Sequence, residues 1–130
     1  IEILKKFNYF HKQDHINLYR KIDLSLDTFP YNGVTTTFES LWMNVPVLVM
    51  KGFNFNSRCG ESIMKNINLE NFISKNREQY IEKALMFSKD RETLNKIREK
   101  IFKNLKISPL FDTKNFTQKF GEALLKIYNS

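Results

Sequence analysis

An α/β fold with a short parallel sheet and a helix-rich C-terminal half is predicted by three features of the sequence, two of them in the stretch 22–50. Ile22, Leu24 and Leu26 alternate with polar residues, the period of a half-buried strand. Pro46, Val47, Leu48, Val49 and Met50 form a short apolar run, as a parallel strand covered on both faces requires. Between them, Tyr31-Asn32-Gly33 is a turn signal, and Phe38, Leu41, Trp42 and Val45 recur at helical spacing. The third feature is the run of apolar stripes at helical spacing after residue 76. Strand, helix and strand in that order make a βαβ unit, expected to cross over right-handed.

The remaining elements follow in order. Residues 3–10 read as a short strand. Asp14 is placed to cap a short helix over 15–21, with Ile16, Leu18 and Tyr19 partly buried. Residues 51–59 read as a loop, facing the same crevice as the 28–36 turn, because both lie beyond the carboxyl ends of strands. A short helix over 60–66 turns Ile63 and Met64 inward, and 68–74 holds a brief extended piece with Phe72 and Ile73. Asn76, with Gln79 three residues later, opens a helix whose buried side is Tyr80, Ala84 and Phe87 with Ile81, Leu85 and Ser88. Asp90 caps the next helix, with the stripe Leu94, Ile97, Ile101 and Leu105, and Ser108-Pro109 ends it. Asp112 or Thr113 starts a terminal helix with Phe116, Phe120, Leu124 and Ile127 on one face. No repeat, linker or internal boundary divides residues 1–130.

Length and composition narrow the class. The chain has 130 residues, 42% hydrophobic, with Phe 12, Tyr 5 and Trp 1, enough apolar bulk for one packed core. It begins at Ile1 and is expected to be the C-terminal piece of something longer. No run approaches the roughly 18 apolar residues of a membrane span, and no signal peptide is visible. The single Cys59 excludes an internal disulfide framework and suits a reducing cytoplasm. The net charge of +7 comes mostly from lysines spread along the helical half, the pattern of a solvated face. No nucleic-acid motif accompanies it, so a polyanion-binding role ranks last.

Thr35, Thr36 and Thr37 stand where the central helix begins. Backbone N–H groups there lack intrahelical acceptors and the macrodipole adds partial positive charge, so a phosphate is stabilised. The same threonines suit plain N-capping, and Thr36-Thr37-Phe38-Glu39 is a capping box. From the residues alone both readings stay open.

The blocks Asp27-Thr28-Phe29-Pro30-Tyr31-Asn32-Gly33, Thr35-Thr36-Thr37, Glu39-Ser40-Leu41-Trp42-Met43 and Val45-Pro46-Val47 closely resemble a signature of the family 41 glycosyltransferases, the O-linked N-acetylglucosamine transferases and SPINDLY-like proteins. The resemblance runs on through Ser57-Arg58-Cys59-Gly60-Glu61-Ser62, Asp90, and Ser108-Pro109-Leu110-Phe111-Asp112. It implies part of a Rossmann-like lobe of a two-lobed, GT-B type transferase. The implied reaction moves N-acetylglucosamine, or another hexose, from a UDP-sugar to a Ser or Thr hydroxyl of a protein, with inversion and without a metal. A non-catalytic nucleotide-sugar-binding or interaction module is the alternative.

By resemblance, Thr35 and Thr36 contact the nucleotide diphosphate, and Glu39 binds the ribose hydroxyls where many relatives carry aspartate. His15 lies near the nucleotide, and Lys12 close to uracil and ribose. Val34 departs from the family, which often places histidine or glycine there, the histidine reaching the nucleotide, so the resemblance implies one ligand contact fewer here. Arg58 suits either a phosphate or a carboxylate of its own surface. Cys59 has no base pattern beside it. Asp23-Leu24-Ser25 is not the Asp-any-Asp pattern of metal-dependent transferases, so no cofactor or metal is expected. The general base is not assigned. The expected partners are the UDP-sugar, a protein acceptor and the N-terminal lobe of the same chain, with upstream TPR repeats. Self-association through uncovered apolar surface is also expected of the isolated piece, which alone should be inactive.

Overall fold

The computed structural model describes residues 12–130, with side chains from His15 onward. The strand expected over residues 3–10 lies outside the described residues, as do the side chains of Lys12 and Asp14. The chain runs α1 (Lys12–Leu18), a 3-10 turn over Tyr19–Lys21, β1 (Ser25–Leu26), α2 (Thr35–Trp42), β2 (Val47–Met50) and α3 (Cys59–Asn66). A 3-10 turn over Glu70–Phe72, β3 (Ile73–Ser74), α4 (Arg77–Lys89), α5 (Arg91–Ile107), a 3-10 turn over Pro109–Phe111 and α6 (Thr113–Tyr128) complete it.

Three parallel strands form the sheet in the order β1-β2-β3. Ser25 pairs with Val47 and Leu26 with Leu48; Val49 pairs with Ile73 and Met50 with Ser74. The central strand β2 is therefore the apolar run, and α2, α3 and α4 all pack on it. Val47, Leu48 and Val49 are buried. Burying each stabilises the fold by about 1.5–3 kcal/mol. Leu41, Met64, Ile67, Phe72, Ile101 and Leu105 extend that core across the helices. Phe72 and Phe87 stack within it, 4.4 Å between centroids and 3° between planes.

Caps and breaks fall where the local chemistry puts them. Asn76 accepts from Gln79 N at 2.9 Å, and Gln79 reaches back to Lys75 N at 2.7 Å. Asp90 accepts from Thr93 N, and Asp112 from Asn115 N. Ser108 is extended and its hydroxyl accepts from Leu110 N, so α5 stops at Ile107.

Several expectations are corrected. The first strand is two residues long rather than spanning 22–26, because only Ser25 and Leu26 find partners on β2. The first helix begins at Lys12, which puts Asp14 inside it rather than at its cap. The brief extended piece expected within 68–74 is present as β3, Ile73–Ser74, entered through the 3-10 turn over Glu70–Phe72. Phe87 is buried on α4, but Ile81 and Leu85 face solvent, as does Trp42 on α2. Trp42 instead stacks edge-on against Phe102, 5.7 Å away. The expected uncovered apolar surface is seen on α6, where no residue is buried and Phe116, Phe120, Leu124 and Ile127 form an exposed face.

Candidate functional site

The loop from β1 to α2 is built by one carboxylate and one amide. Asp27 ends the first strand, its N–H bonded to Leu48 O at 2.9 Å. Its Oδ1 accepts from Thr28 N at 2.9 Å and from Gly33 N at 2.8 Å, folding the loop back on itself. Asn32, fully buried, donates to Thr28 O at 3.0 Å and accepts from Gly60 N at 3.2 Å, tying the loop to the start of α3. Tyr80 of α4 donates its hydroxyl to Asp27 O at 2.8 Å. Burial raises the Asp27 carboxyl above its ordinary value, outweighing the two backbone donors. Burial, with the Asp27 charge adding, pushes the Tyr80 phenol up to about 12.

Gly33 sits in close quarters with three side-chain oxygens. A Cβ there would strike Thr36 Oγ1 and lie 3.2 Å from Asp27 Oδ1. Thr37 bonds its hydroxyl back to Gly33 O at 2.7 Å. The loop therefore delivers the chain into α2 with Val34 at the cap position, which supplies no side-chain cap bond. The first intrahelical bond is Phe38 N to Val34 O, 3.0 Å. Helix geometry leaves the N–H groups of Thr35, Thr36 and Thr37 without intrahelical acceptors, and the Thr35 and Thr36 side chains face solvent beside them. A helix N-terminus at the carboxyl side of a parallel sheet has the geometry that suits an anion.

The expected capping box does not form. Glu39 instead points across to α1, its Oε2 3.0 Å from His15 Nε2. Tyr19 completes the group: its hydroxyl donates to Thr36 O at 3.3 Å, and its ring stands edge-on to His15, 5.5 Å between centroids. Burial, then the Glu39 charge, raises the Tyr19 phenol above its ordinary value. His15, Glu39 and the start of α2 are thus brought together across 24 residues of sequence, with Thr35 and Thr36 at the helix end. Lys12 lies on the same helix as His15, its side chain outside the described residues. Tyr19 was missed as a site residue; an aromatic on a short helix gives no local sign of what it touches.

A second feature lies one residue round the helix. Val34 and Phe38 line a cavity of about 680 Å³ whose other walls include Phe53, Phe55, Arg58 and Lys65. Glu61, nearly inaccessible to solvent, holds this side together. Arg58 Nε donates to it at 2.9 Å, Lys65 at 2.8 Å, and Lys51 lies 3.9 Å away. The Lys65 and Arg58 bonds hold the Glu61 carboxyl below its ordinary value against the opposing effect of burial. Arg58 therefore meets a carboxylate of its own surface. Cys59 donates its thiol to Phe55 O at 3.3 Å. Among the described residues, no group of three or more His, Cys, Asp or Glu side chains is arranged to hold a metal. Among the same residues no helix is long and apolar enough to cross a membrane.

Comparison with known proteins gives this arrangement a context. A protein of Solanum lycopersicum, designated a probable UDP-N-acetylglucosamine–peptide N-acetylglucosaminyltransferase SPINDLY, is 40% identical over 105 residues, covering 81% of this chain and 11% of that protein. The UDP-N-acetylglucosamine–peptide N-acetylglucosaminyltransferase of Caenorhabditis elegans is 27% identical over 113 residues, 87% of this chain and 10% of that one. The chain thus spans about a tenth of the length of the curated relatives it matches. A mutant O-GlcNAc transferase of Thermobaculum terrenum superposes with a TM-score of 0.82 at 33% identity, over 91% of this chain and 23% of that one. The short parallel sheet with its helices is therefore part of a Rossmann-like lobe of the GT-B type. The sequence model described as glycosyl transferase family 41 matches residues 6–120, and the chain belongs to that family.

Proposed function

We propose that residues 1–130 form a C-terminal nucleotide-sugar-binding lobe, without internal boundary, of a UDP-sugar-dependent protein glycosyltransferase. The reaction proposed is inverting transfer of N-acetylglucosamine, or another hexose, to Ser or Thr hydroxyls. One observation carries the assignment: Glu39 turns away from the cap of its own helix and meets His15 beside the open end of α2. A carboxylate and an imidazole then stand next to three uncommitted helix N–H groups, the pairing that a ribose joined to a diphosphate needs.

Roles follow from chemistry. The Thr35 and Thr36 hydroxyls and the α2 N–H groups hold the diphosphate. As the glycosidic bond breaks, negative charge grows on the leaving diphosphate, and the helix end stabilises it without reorganising. That fixed dipole takes the part a cation plays in metal-dependent transferases. Glu39 accepts from the ribose hydroxyls, and His15 and Lys12 flank the nucleoside. The general base is left unassigned, and the N-terminal lobe and TPR repeats of the whole protein are the proposed intramolecular partners.

A second assignment, nucleotide-sugar binding without turnover, is favoured by Val34. It caps α2 with a side chain that offers no hydrogen bond. Titration of UDP, with ADP as control, into the whole protein tests binding. Transfer from labelled UDP-N-acetylglucosamine to peptide tests turnover. Saturable binding of UDP alone with transfer supports the transferase, binding without transfer supports the second assignment, and no binding overturns both.

A further inference from the structure

The cavity beside α2 adjoins the helix end but lies on a different face of the helix from the His15–Glu39 contact. On a helix, residues four apart share a face, and the next residue is rotated by about 100°. Thr35 and Glu39 make one such pair, and Glu39 meets His15. Val34 and Phe38 make the next, turned into the cavity. Anything filling it lies against the first turn of α2, where the donor's diphosphate joins the sugar under the proposed function, and away from the nucleoside.

Two properties of the cavity limit its occupant. Its walls are largely aromatic and aliphatic, with Phe53 and Phe55 88% and 84% exposed at the mouth. Its charged wall is electropositive: Arg58 and Lys65 line it, Lys51 stands behind, and the one carboxylate, Glu61, is nearly buried beneath them. Arg58 meets Glu61 through its Nε–H, so its two amino groups are not part of that bond. An uncharged hexose gains nothing from two cations. A polypeptide with an acidic residue next to an aromatic one matches both the walls and the charge.

We infer that this cavity is an acceptor-docking site, selective for acidic segments that carry an aromatic or large aliphatic side chain close to the modified Ser or Thr. The inference rests on the proposed transferase function and supplies its acceptor class. The charged wall also predicts that acidic acceptors bind less tightly as salt rises.

The test uses the whole protein and two synthetic peptides, one with Glu and Phe flanking a serine and one with Gln in place of each Glu. Two variants are compared with wild type, Arg58→Gln and the double change Phe53→Ser with Phe55→Ser. The phenylalanine side chains are exposed, so the second variant leaves folding intact even where the first does not. Peptide binding is read by fluorescence anisotropy, transfer by KM for each peptide, and donor binding by UDP calorimetry. For Arg58→Gln, KM and Kd for the acidic peptide should rise about three- to tenfold, with the Gln peptide and UDP unchanged. The Phe variant should weaken both peptides and leave UDP unchanged. Equal effects of Arg58→Gln on both peptides, or none, overturn the inference. Weaker UDP binding in Arg58→Gln also overturns it, because the cations would then serve the diphosphate. Charge-selective peptide binding in a protein that neither binds UDP nor transfers would keep the docking site and refute the transferase function.

Discussion

His15 Nε2 and Glu39 Oε2 stand 3.0 Å apart, joining the first helix to the helix whose open end faces the sheet crevice. The contact takes Glu39 out of the capping box that its spacing from Thr36 predicts. It also separates two properties usually carried together, negative charge and reach.

Glu39→Asp keeps the charge and loses a methylene, so the His15 contact breaks while a carboxylate remains near the helix end. Glu39→Ala loses both. If Glu39 serves the ribose, UDP affinity should fall about tenfold in Glu39→Ala, the loss of a charged hydrogen bond. It should fall less in Glu39→Asp. Calorimetry with UDP and the whole protein measures both. Equal affinity in all three proteins would confine Glu39 to holding α1.

Thr36→Ala separates binding from folding. The hydroxyl is exposed, and the bond from Tyr19 goes to the Thr36 carbonyl, which the change preserves. Urea unfolding should shift by less than about 0.5 kcal/mol. UDP affinity should fall about threefold to tenfold if the hydroxyl meets a phosphate. A large loss of stability with unchanged affinity would make Thr36 a structural residue.

Glu61 makes acid sensitivity a local property. Its carboxyl is held below its ordinary value of 4.5 by Lys65, with Arg58 acting the same way. A carboxyl with a lowered folded-state pKa adds stability that is present above the unfolded value and lost as pH falls through the folded one. Asp27 has the opposite sign, since its carboxyl is raised in the fold and its charge costs stability as pH rises. Glu61→Gln should therefore be less stable than wild type near pH 7 by roughly 1–3 kcal/mol. The gap should close as pH drops below about 4.5. Urea midpoints of the two proteins across pH 3–7 check the sign. A gap that stays constant over that range would mean the carboxylate's charge contributes nothing.

What the sequence disclosed depended on how local the cause was. Asp90, Asn76 and Asp112 cap as their spacing predicts, because cap and partner lie within one turn. The α5 stripe is equally legible, with Leu94, Ile101 and Leu105 all buried. The length of β1 was not, since pairing with β2 decides it and alternation in one strand cannot say where the partner ends. Nor was the Glu39 contact, because a local motif was present and a residue 24 positions away displaced it. Glu61 offered a signal that went unread: Arg58 three residues before and Lys65 four after place two cations on its face of a helix. The open faces of α4 and α6 carry helical apolar spacing with nothing among the described residues covering them, so periodicity there named a face without naming its neighbour.

Gly60 is where the packing of the site meets the sheet. It is the second residue of α3, its N–H donates to Asn32, and the helix packs on β2. A Cβ at this position would sit 2.9 Å from Val49 Cγ1, 3.0 Å from Val49 Cβ and 3.0 Å from Asp27 Oδ2. None of these atoms is the end of a flexible side chain: Val49 is fully buried in the central strand, and Asp27 is fixed by two backbone donors. Gly60→Ala must therefore push α3 off β2 or push Asp27 out of the loop. The first costs about 1–3 kcal/mol of stability, the usual penalty for overpacking a filled site. The second also releases Gly33 N, loosening the turn that aims α2. Gly121, with nothing within 4 Å of an added Cβ, is the control, and Gly121→Ala should be neutral or slightly stabilising. Urea unfolding of both variants, paired with UDP calorimetry, decides between the two outcomes. Destabilisation with normal UDP affinity places the strain at α3, and destabilisation with weakened affinity places it at Asp27. An unperturbed Gly60→Ala would contradict the packing of α3 on β2.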